Sequence, residues 1–232
     1  MIEFPIINYI ILKTPEFRRC EIWGKVMKVL LVNGSPHRQG CTFTALSEIA
    51  ATLEKHNIAT EIFHIGVKAI HGCTACGACA ESGYCIFKDD TVNHAIDLFK
   101  EADGIIVGSP VYYAGPNGAL CAFLDRVFFM KSRPYAYKPA AAVVSCRRGG
   151  ASASFDRLNK YFTISSMPLV SSQYWNAVHG TTPEEVRQDA EGLQIMRTLG
   201  NNMAWLLKCI EAAEGKVPFP VPEAPARTNF IR

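Results

Sequence analysis

A doubly wound α/β fold, with a five-stranded parallel sheet held between two layers of helices, is the class this sequence predicts. Three observations point to it. Short apolar runs alternate with helical patterns along the chain. The run at residues 104–108, Gly-Ile-Ile-Val-Gly, carries no charge and so belongs to a strand covered on both faces. The strands also run straight into loops built from Gly, Ser and Pro. Such alternation implies right-handed crossovers and a parallel sheet in a three-layer α/β/α sandwich. With 232 residues, 49% of them hydrophobic, the chain can bury one sizeable core.

Residues 27–33, Met-Lys-Val-Leu-Leu-Val-Asn, read as the first strand. Residues 1–26 fit nothing that follows and read as an extra arm or an upstream translation start. Leu46, Ile49 and Leu53 set a helix over 42–56, and residues 60–64 form a short second strand. Residues 65–90 are a long excursion, and a loop of that length inside a compact domain is functional or bound to something. Asp89 and Asp90 cap a helix over 91–102, rather than doing chemistry. Beyond the third strand at 104–108, Leu120, Phe123, Leu124 and Val127 mark a helix over 118–130. Residues 140–145 form the fourth strand, 154–162 begin another helix, and 170–175 supply the fifth strand. Thr182 caps a helix that opens with Pro183, and its pattern continues over 184–213. The Pro-rich stretch at 217–225 cannot be helical and drapes over the surface or a partner. The domain thus spans 27–213, with an extension before it and a tail, 214–232, after it.

Bulk properties exclude several functions. A net charge of +3 and a pI near 8.3 are too mild for a nucleic-acid binder, and no such motif is present. The apolar run at 4–12 lacks a basic flank and a cleavage site, and no stretch reaches the length of a membrane span. Five of the nine cysteines (Cys20, Cys41, Cys121, Cys146, Cys209) are scattered, unlike a disulfide framework. A reducing, cytoplasmic location is expected.

Ligands of doubly wound sheets bind at the carboxyl ends of the strands, so the loops at 34–42, 109–116 and 145–150 should converge there. The first offers Ser35, His37, Arg38, Gly40, Cys41 and Thr42: hydroxyls, backbone N–H groups, two cations and a helix amino terminus, which suit a phosphate monoester. It is neither a Walker loop nor G-x-G-x-x-G, and taken alone it is equally an ordinary strand-to-helix turn. The second, with Pro110, Val111, Tyr112, Tyr113 and Ala114, suits an apolar wall for a flat heteroaromatic ring; the alternative is surface or interface aromatics. In the third, Cys146, Arg147, Gly149 and Gly150 bring a cation toward the polar edge of such a ring, unless Arg147 and Arg148 are simply a solvated pair.

Cys73, Cys76, Cys79 and Cys85 follow the spacing C-x2-C-x2-C-x5-C, with Gly72, Gly77 and Gly83 between and beside them. Four thiols on a Gly-permitted loop suit an iron–sulfur cluster. Zinc prefers two C-x2-C knuckles, and the last spacing makes a poor one. Free thiols or a disulfide complete the alternatives. His64 and His71 read as strand-end or loop residues rather than ligands.

In this order, the Gly34-Ser35-Pro36 loop, the cysteine run, Ser109-Pro110-Val111-Tyr112 and Leu124-Asp125-Arg126 resemble the NADPH-dependent FMN reductase-like branch of the flavodoxin-like superfamily, and within it the iron–sulfur flavoproteins. The resemblance covers residues 28–213. It implies a flavodoxin-like fold and non-covalent FMN, with the phosphate at 35–42 and the ring against 110–114 and 146–150. It also implies a 4Fe-4S cluster on the four clustered cysteines. The implied activity is an FMN-dependent oxidoreductase that moves electrons between ferredoxin or NAD(P)H and a small acceptor, with no catalytic side-chain acid or base. Two positions depart from the pattern: His37 stands where the family has arginine, and Cys41 where it has asparagine. A metal-free NAD(P)H-dependent flavin, quinone or azo reductase and a flavodoxin-like carrier are the other readings; strong acidity, typical of carriers, is missing. A homodimer or homotetramer is expected, because Phe128, Phe129, Tyr135, Tyr137 and Trp175 would flank an exposed flavin site.

Overall fold

Val29, Leu30, Leu31 and Val32 are fully buried, and their alternation decides which layer each one fills. They form β1 (Lys28–Asn33) in a computed structural model that describes residues 26–129, 134–224 and 226. The elements that follow are α1 (Cys41–Glu54), β2 (Ala59–His64), α2 (Cys79–Ser82), α3 (Val92–Glu101) and β3 (Gly104–Tyr112). After them come β4 (Gly115–Pro116), α4 (Gly118–Phe128), β5 (Ala140–Cys146), α5 (Ala151–Ile164), β6 (Ala177–His179), α6 (Pro183–Gln188) and α7 (Ala190–Ala213). The parallel strands lie in the order β2-β1-β3-β5-β6. The order reverses at β1, which places the switch point between β1 and β3.

Leu30, Val32, Ile105, Val107, Ala142 and Val144 face one core, which they share with α3, α4 and α5. Val29, Leu31, Ile106, Ala141 and Val143 face the other, shared with α1 and α7. Each fully buried Leu or Ile stabilises the fold by roughly 1.5–3 kcal/mol, so the two cores hold the sheet rigid on both sides. One small residue sets the position of α1: a Cβ at Gly108 would lie 2.8 Å from Thr42 Cγ2 and 3.0 Å from Leu46 Cδ1. Glycine there lets the helix lie against β3 and brings its amino terminus over the strand ends.

The fold class is as expected, and four details differ. The sheet has six strands rather than five, because β3 continues past residue 108 to Tyr112 and the chain folds back as the antiparallel β4. The fifth parallel strand is at 177–179, not 170–175. The chain touches β5 at a single bridge, Leu169 with Ala140, leaves over 171–176, and rejoins at Ala177. Buried Asn176 fills the gap: its Nδ2 donates to the Ala142 carbonyl at 3.0 Å and its Oδ1 accepts from Ser172 Oγ at 2.7 Å.

The long final helix is broken at Asp189. Its ψ of 80° leaves the helical range, while its carboxylate accepts from Gly192 N at 2.9 Å and from His179 N at 2.7 Å. One side chain thereby starts α7 and ties it to β6. The fourth difference is α2, one helical turn inside the cysteine loop. Thr182 caps α6 as expected, accepting from Glu185 N at 3.3 Å.

Two of the aromatics expected around an exposed site are placed otherwise. Tyr135 is 1% exposed and packs against Phe99 and Phe128, with ring centres 5.4 and 5.5 Å away, so it and much of Phe128 belong to the core. In the tail, Phe219 stacks on Tyr137 at 5.2 Å. The extension at residues 1–25 and the end of the tail lie outside the described residues, as does residue 130 of the predicted 118–130 helix, which in the structure ends at Phe128. No described helix is long and apolar enough to cross a membrane.

Candidate functional site

The three loops meet at the carboxyl ends of β1, β3 and β5, and cross-links hold them there. Gly34 N donates to the Gly108 carbonyl at 2.9 Å, joining the first loop to β3. Thr42 Oγ1 and Ser145 Oγ share a buried hydrogen bond of 2.8 Å, joining the start of α1 to the end of β5. Gly150, at φ 90°, lies so close to the second loop that a Cβ would stand 2.7 Å from Ala114 Cα. His64, at the end of β2, donates from Nε2 to the Ser35 carbonyl at 2.8 Å. The first loop also braces itself: Asn33 Oδ1 accepts from Ser35 N, Asn33 Nδ2 donates to the Arg38 carbonyl, and Ser35 Oγ accepts from His37 N.

Two non-glycine residues at the tip of the β3–β4 hairpin, Tyr113 and Ala114, hold φ values of 50° and 58°. Left-handed backbone costs an ordinary residue about 1–2 kcal/mol, and a two-residue hairpin demands it. The turn lifts Tyr113 fully into solvent beside a half-exposed Tyr112.

Helix α1 has no side-chain cap and no acidic residue in its first turn. Its amino terminus therefore presents backbone N–H groups and the positive end of the helix dipole toward an anion. Ser35 is buried and keeps its hydroxyl proton to donate, while His37, Arg38 and Gln39 are exposed. Anion donors on one side and an aromatic hairpin packed on a glycine loop on the other fit FMN.

Some candidate side chains have other work. Thr42 is committed to Ser145, and Cys41 Sγ points to the Gly180 carbonyl at 3.8 Å. Cys146 is buried, with Sγ directed at the Arg148 carbonyl. Burial, aided by Glu185 and Glu184, pushes the Cys41 thiol up, and burial beside Asp189 does the same for Cys146. Both are held as neutral thiols, with their sulfurs turned to the carbonyls of Gly180 and Arg148. Arg147 and Arg148 are exposed, and Arg147 contributes to holding the Glu185 carboxyl low, after the dominant backbone bond from Thr181. An open pocket of about 580 Å³ adjoins the first loop, lined by Arg38, Gln39, Phe43 and His64.

Cys73, Cys76, Cys79 and Cys85 line a second, shallow pocket together with Phe87, Arg126 and Phe129. All four are free thiols; Cys73 and Cys76 are exposed, whereas Cys79 and Cys85 are half-buried. Burial pushes the Cys79 thiol up, and the three neighbouring cysteines add to it. Positive φ at Ala75, Gly77 and Gly83 coils the loop tightly. An all-sulfur donor set without carboxylate or imidazole suits an iron–sulfur cluster by chemistry. Among the described residues, however, no three His, Cys, Asp or Glu side chains are grouped closely enough to share a metal ion.

Arg126 enters the sequence reading only as part of the Leu124-Asp125-Arg126 run, with no role at the site assigned to it. It is 2% exposed and ion-paired with Asp90 at the mouth of the cysteine loop. A signal was present: an arginine three residues after Phe123, on the side of α4 that also carries Val127 into the core. His71 stacks on Phe87 at 4.2 Å, a loop role as expected. Asp90 accepts from Val92 N, the expected cap, and also carries the ion pair.

Comparison with known proteins agrees with this geometry. The family described as NADPH-dependent FMN reductase matches residues 27–182. An iron-sulfur flavoprotein of Methanocaldococcus jannaschii is 32% identical over 198 residues, which cover 80% of this chain and all of the relative. Another from Methanosarcina thermophila is 27% identical, covering 82% and 100%. Among solved structures, an archaeal flavodoxin superposes with a TM-score of 0.53 at 18% identity, covering 78% of this chain and 99% of its own. An NADH:FMN oxidoreductase superposes at 0.56 and 17% identity, covering 78% and 90%. These last two likenesses establish the flavodoxin-like fold.

Proposed function

Because the chain belongs to the NADPH-dependent FMN reductase family, in its iron-sulfur flavoprotein branch, we propose that it is an FMN- and 4Fe-4S-dependent oxidoreductase. It would pass electrons between ferredoxin or NAD(P)H and a small acceptor such as a quinone, a nitro or azo compound, or an oxygen species. The observation that carries this reading is the pairing of two sites: an uncapped helix and aromatic hairpin at the strand ends, and four thiols around one pocket.

Each site residue has a role in binding. The first-turn N–H groups of α1, with Ser35, Gly40 and the cation of Arg38 or His37, hold the phosphate. Pro110, Val111, Tyr112, Tyr113 and Ala114 form the wall for the ring. The loop of Arg147, Gly149 and Gly150 faces its polar edge, where Arg147 steadies negative charge. Cys73, Cys76, Cys79 and Cys85 hold the cluster, with Cys73 and Cys76 moving inward to join the others. Bound there, the flavin supplies hydride and single-electron chemistry and the cluster single-electron transfer. The protein supplies position and electrostatics, and no side chain is needed as acid or base.

One observation favours a second reading, a metal-free reductase: the separation of the four thiols in this conformation. Anaerobic purification followed by assay of iron, sulfide and FMN decides between them. About four iron and four sulfide per FMN supports the cluster. FMN without iron, even after reconstitution, leaves the metal-free reductase, and absence of FMN sinks both. Mixing the oxidised protein with NADPH, NADH or reduced ferredoxin then identifies the donor. All eight described cysteines are free, which supports a cytoplasmic location. The exposed Tyr112, Tyr113, Phe129 and Trp175 support a homodimer or homotetramer, to be read by light scattering.

A further inference from the structure

We infer that Arg126 is a positioning residue for the cluster: it fastens the cysteine loop at both ends and donates a hydrogen bond to the sulfur of Cys85. This rests on the cluster reading above. All five N–H donors of the guanidinium are used. Nε donates to Cys85 Sγ at 3.2 Å. Nη1 donates to the His71 carbonyl at 3.2 Å and to Asp90 Oδ2. Nη2 donates to the Phe87 carbonyl at 3.2 Å and to Asp90 Oδ1 at 3.1 Å. One planar group on α4 therefore grips the chain just before Cys73 and just after Cys85, a task the single nitrogen of lysine cannot perform.

Cys85 is singled out among the four. The side chain of Asn93 accepts from its N–H at 2.8 Å and donates to its carbonyl at 2.9 Å, so backbone and sulfur are both held. Cys73 and Cys76 are exposed. The fixed thiol is the natural first point of attachment, and the open ones close afterwards. The bond from Nε has a further consequence. A neutral thiol is a weak acceptor, whereas a sulfur bound to iron carries negative charge and accepts strongly. Its strength grows when the cluster gains an electron, so the bond stabilises the reduced form and raises the potential.

The test uses the full-length protein, wild type and Arg126→Lys, reconstituted with iron and sulfide without oxygen. Lysine keeps the charge opposite Asp90 but loses the fork. We expect the cluster of the variant to be about tenfold harder to reduce, which is about 59 mV lower for a one-electron couple. In metal-free protein, amides of residues 71–90 should exchange at least tenfold faster, with β1 and β3 unchanged. Should lysine prevent folding, Arg126→Met combined with Asp90→Asn removes both charges together, and the same fall in potential is expected. A variant with wild-type potential and wild-type exchange overturns the inference and leaves the cluster standing. Wild-type protein that binds FMN but takes up no iron overturns the cluster and this inference together.

Discussion

At the ends of β1, β3 and β5 the loops are tied to one another, through Gly34 with Gly108, Thr42 with Ser145 and Gly150 against Ala114. The cysteine loop is held to the fold through Arg126, Asp90 and Asn93 and by Tyr84, whose hydroxyl donates to Asp97 at 2.6 Å, while its first two thiols face solvent. A site for a cofactor of fixed shape gains from being formed beforehand, since ordering is then complete before binding. A metal site instead draws its ligands into place on loading, and the binding energy does the ordering. On the proposed reading the two regions thus divide rigidity from adaptability.

The comparison is broken most forcefully at Arg126. Arg126→Met alone leaves the buried Asp90 carboxylate unpaired, and a loss of about 3–5 kcal/mol is expected in denaturant unfolding. Adding Asp90→Asn should recover most of it, and a double variant as unstable as the single would contradict the ion-pair account. Next comes Gly150→Ala on the rigid side. Left-handed backbone and contact with Ala114 should cost about 2–4 kcal/mol and weaken FMN binding at least tenfold, read by flavin fluorescence; unchanged affinity would separate this loop from the flavin.

Thr42→Val is milder. It leaves the buried Ser145 hydroxyl without its partner, for an expected loss of about 1–3 kcal/mol in unfolding free energy.

The smallest effect concerns pH. The folded protein holds Cys41, Cys121 and Cys146 as neutral thiols, because burial pushes all three up. The unfolded chain ionises these thiols at their ordinary value and so binds fewer protons there. Stability is therefore full below the ordinary thiol range and falls as pH rises through it. Denaturant midpoints of metal-free protein measured from about pH 7 to pH 10 should show the decline. In the same protein, exposed Cys73, Cys76 and Cys209 should react with a thiol reagent well before buried Cys146.

Much of the fold was legible because its signals are local. The uncharged runs at β1 and β3, the spacing of Leu46, Ile49 and Leu53, and the Thr182-Pro183 start are each written within a few residues. The rule that parallel strands bear their ligands at one end is enough to bring the three loops together. The clustered cysteines were equally plain, since their spacing is itself the signal. What was misplaced depends on partners far along the chain. Residues 170–175 have the composition of a strand, yet the neighbour at β5 accepts only Leu169 and then Ala177, with Asn176 satisfying the carbonyl between them. The 184–213 pattern is continuous in period, yet Asp189 breaks it because its carboxylate bonds His179 N on β6.

By itself, then, the sequence determined the α/β class, the sites of the loops and the clustering of four cysteines in one of them, because periodicity and spacing act over one or two turns. Only the tertiary structure decided where the sheet ends, which thiols face solvent, and that Arg126 spends all five donors on His71, Cys85, Phe87 and Asp90. Those partners lie 36 to 55 residues away. A buried cation must find its acceptors wherever the fold delivers them, and nothing in its immediate neighbours names them.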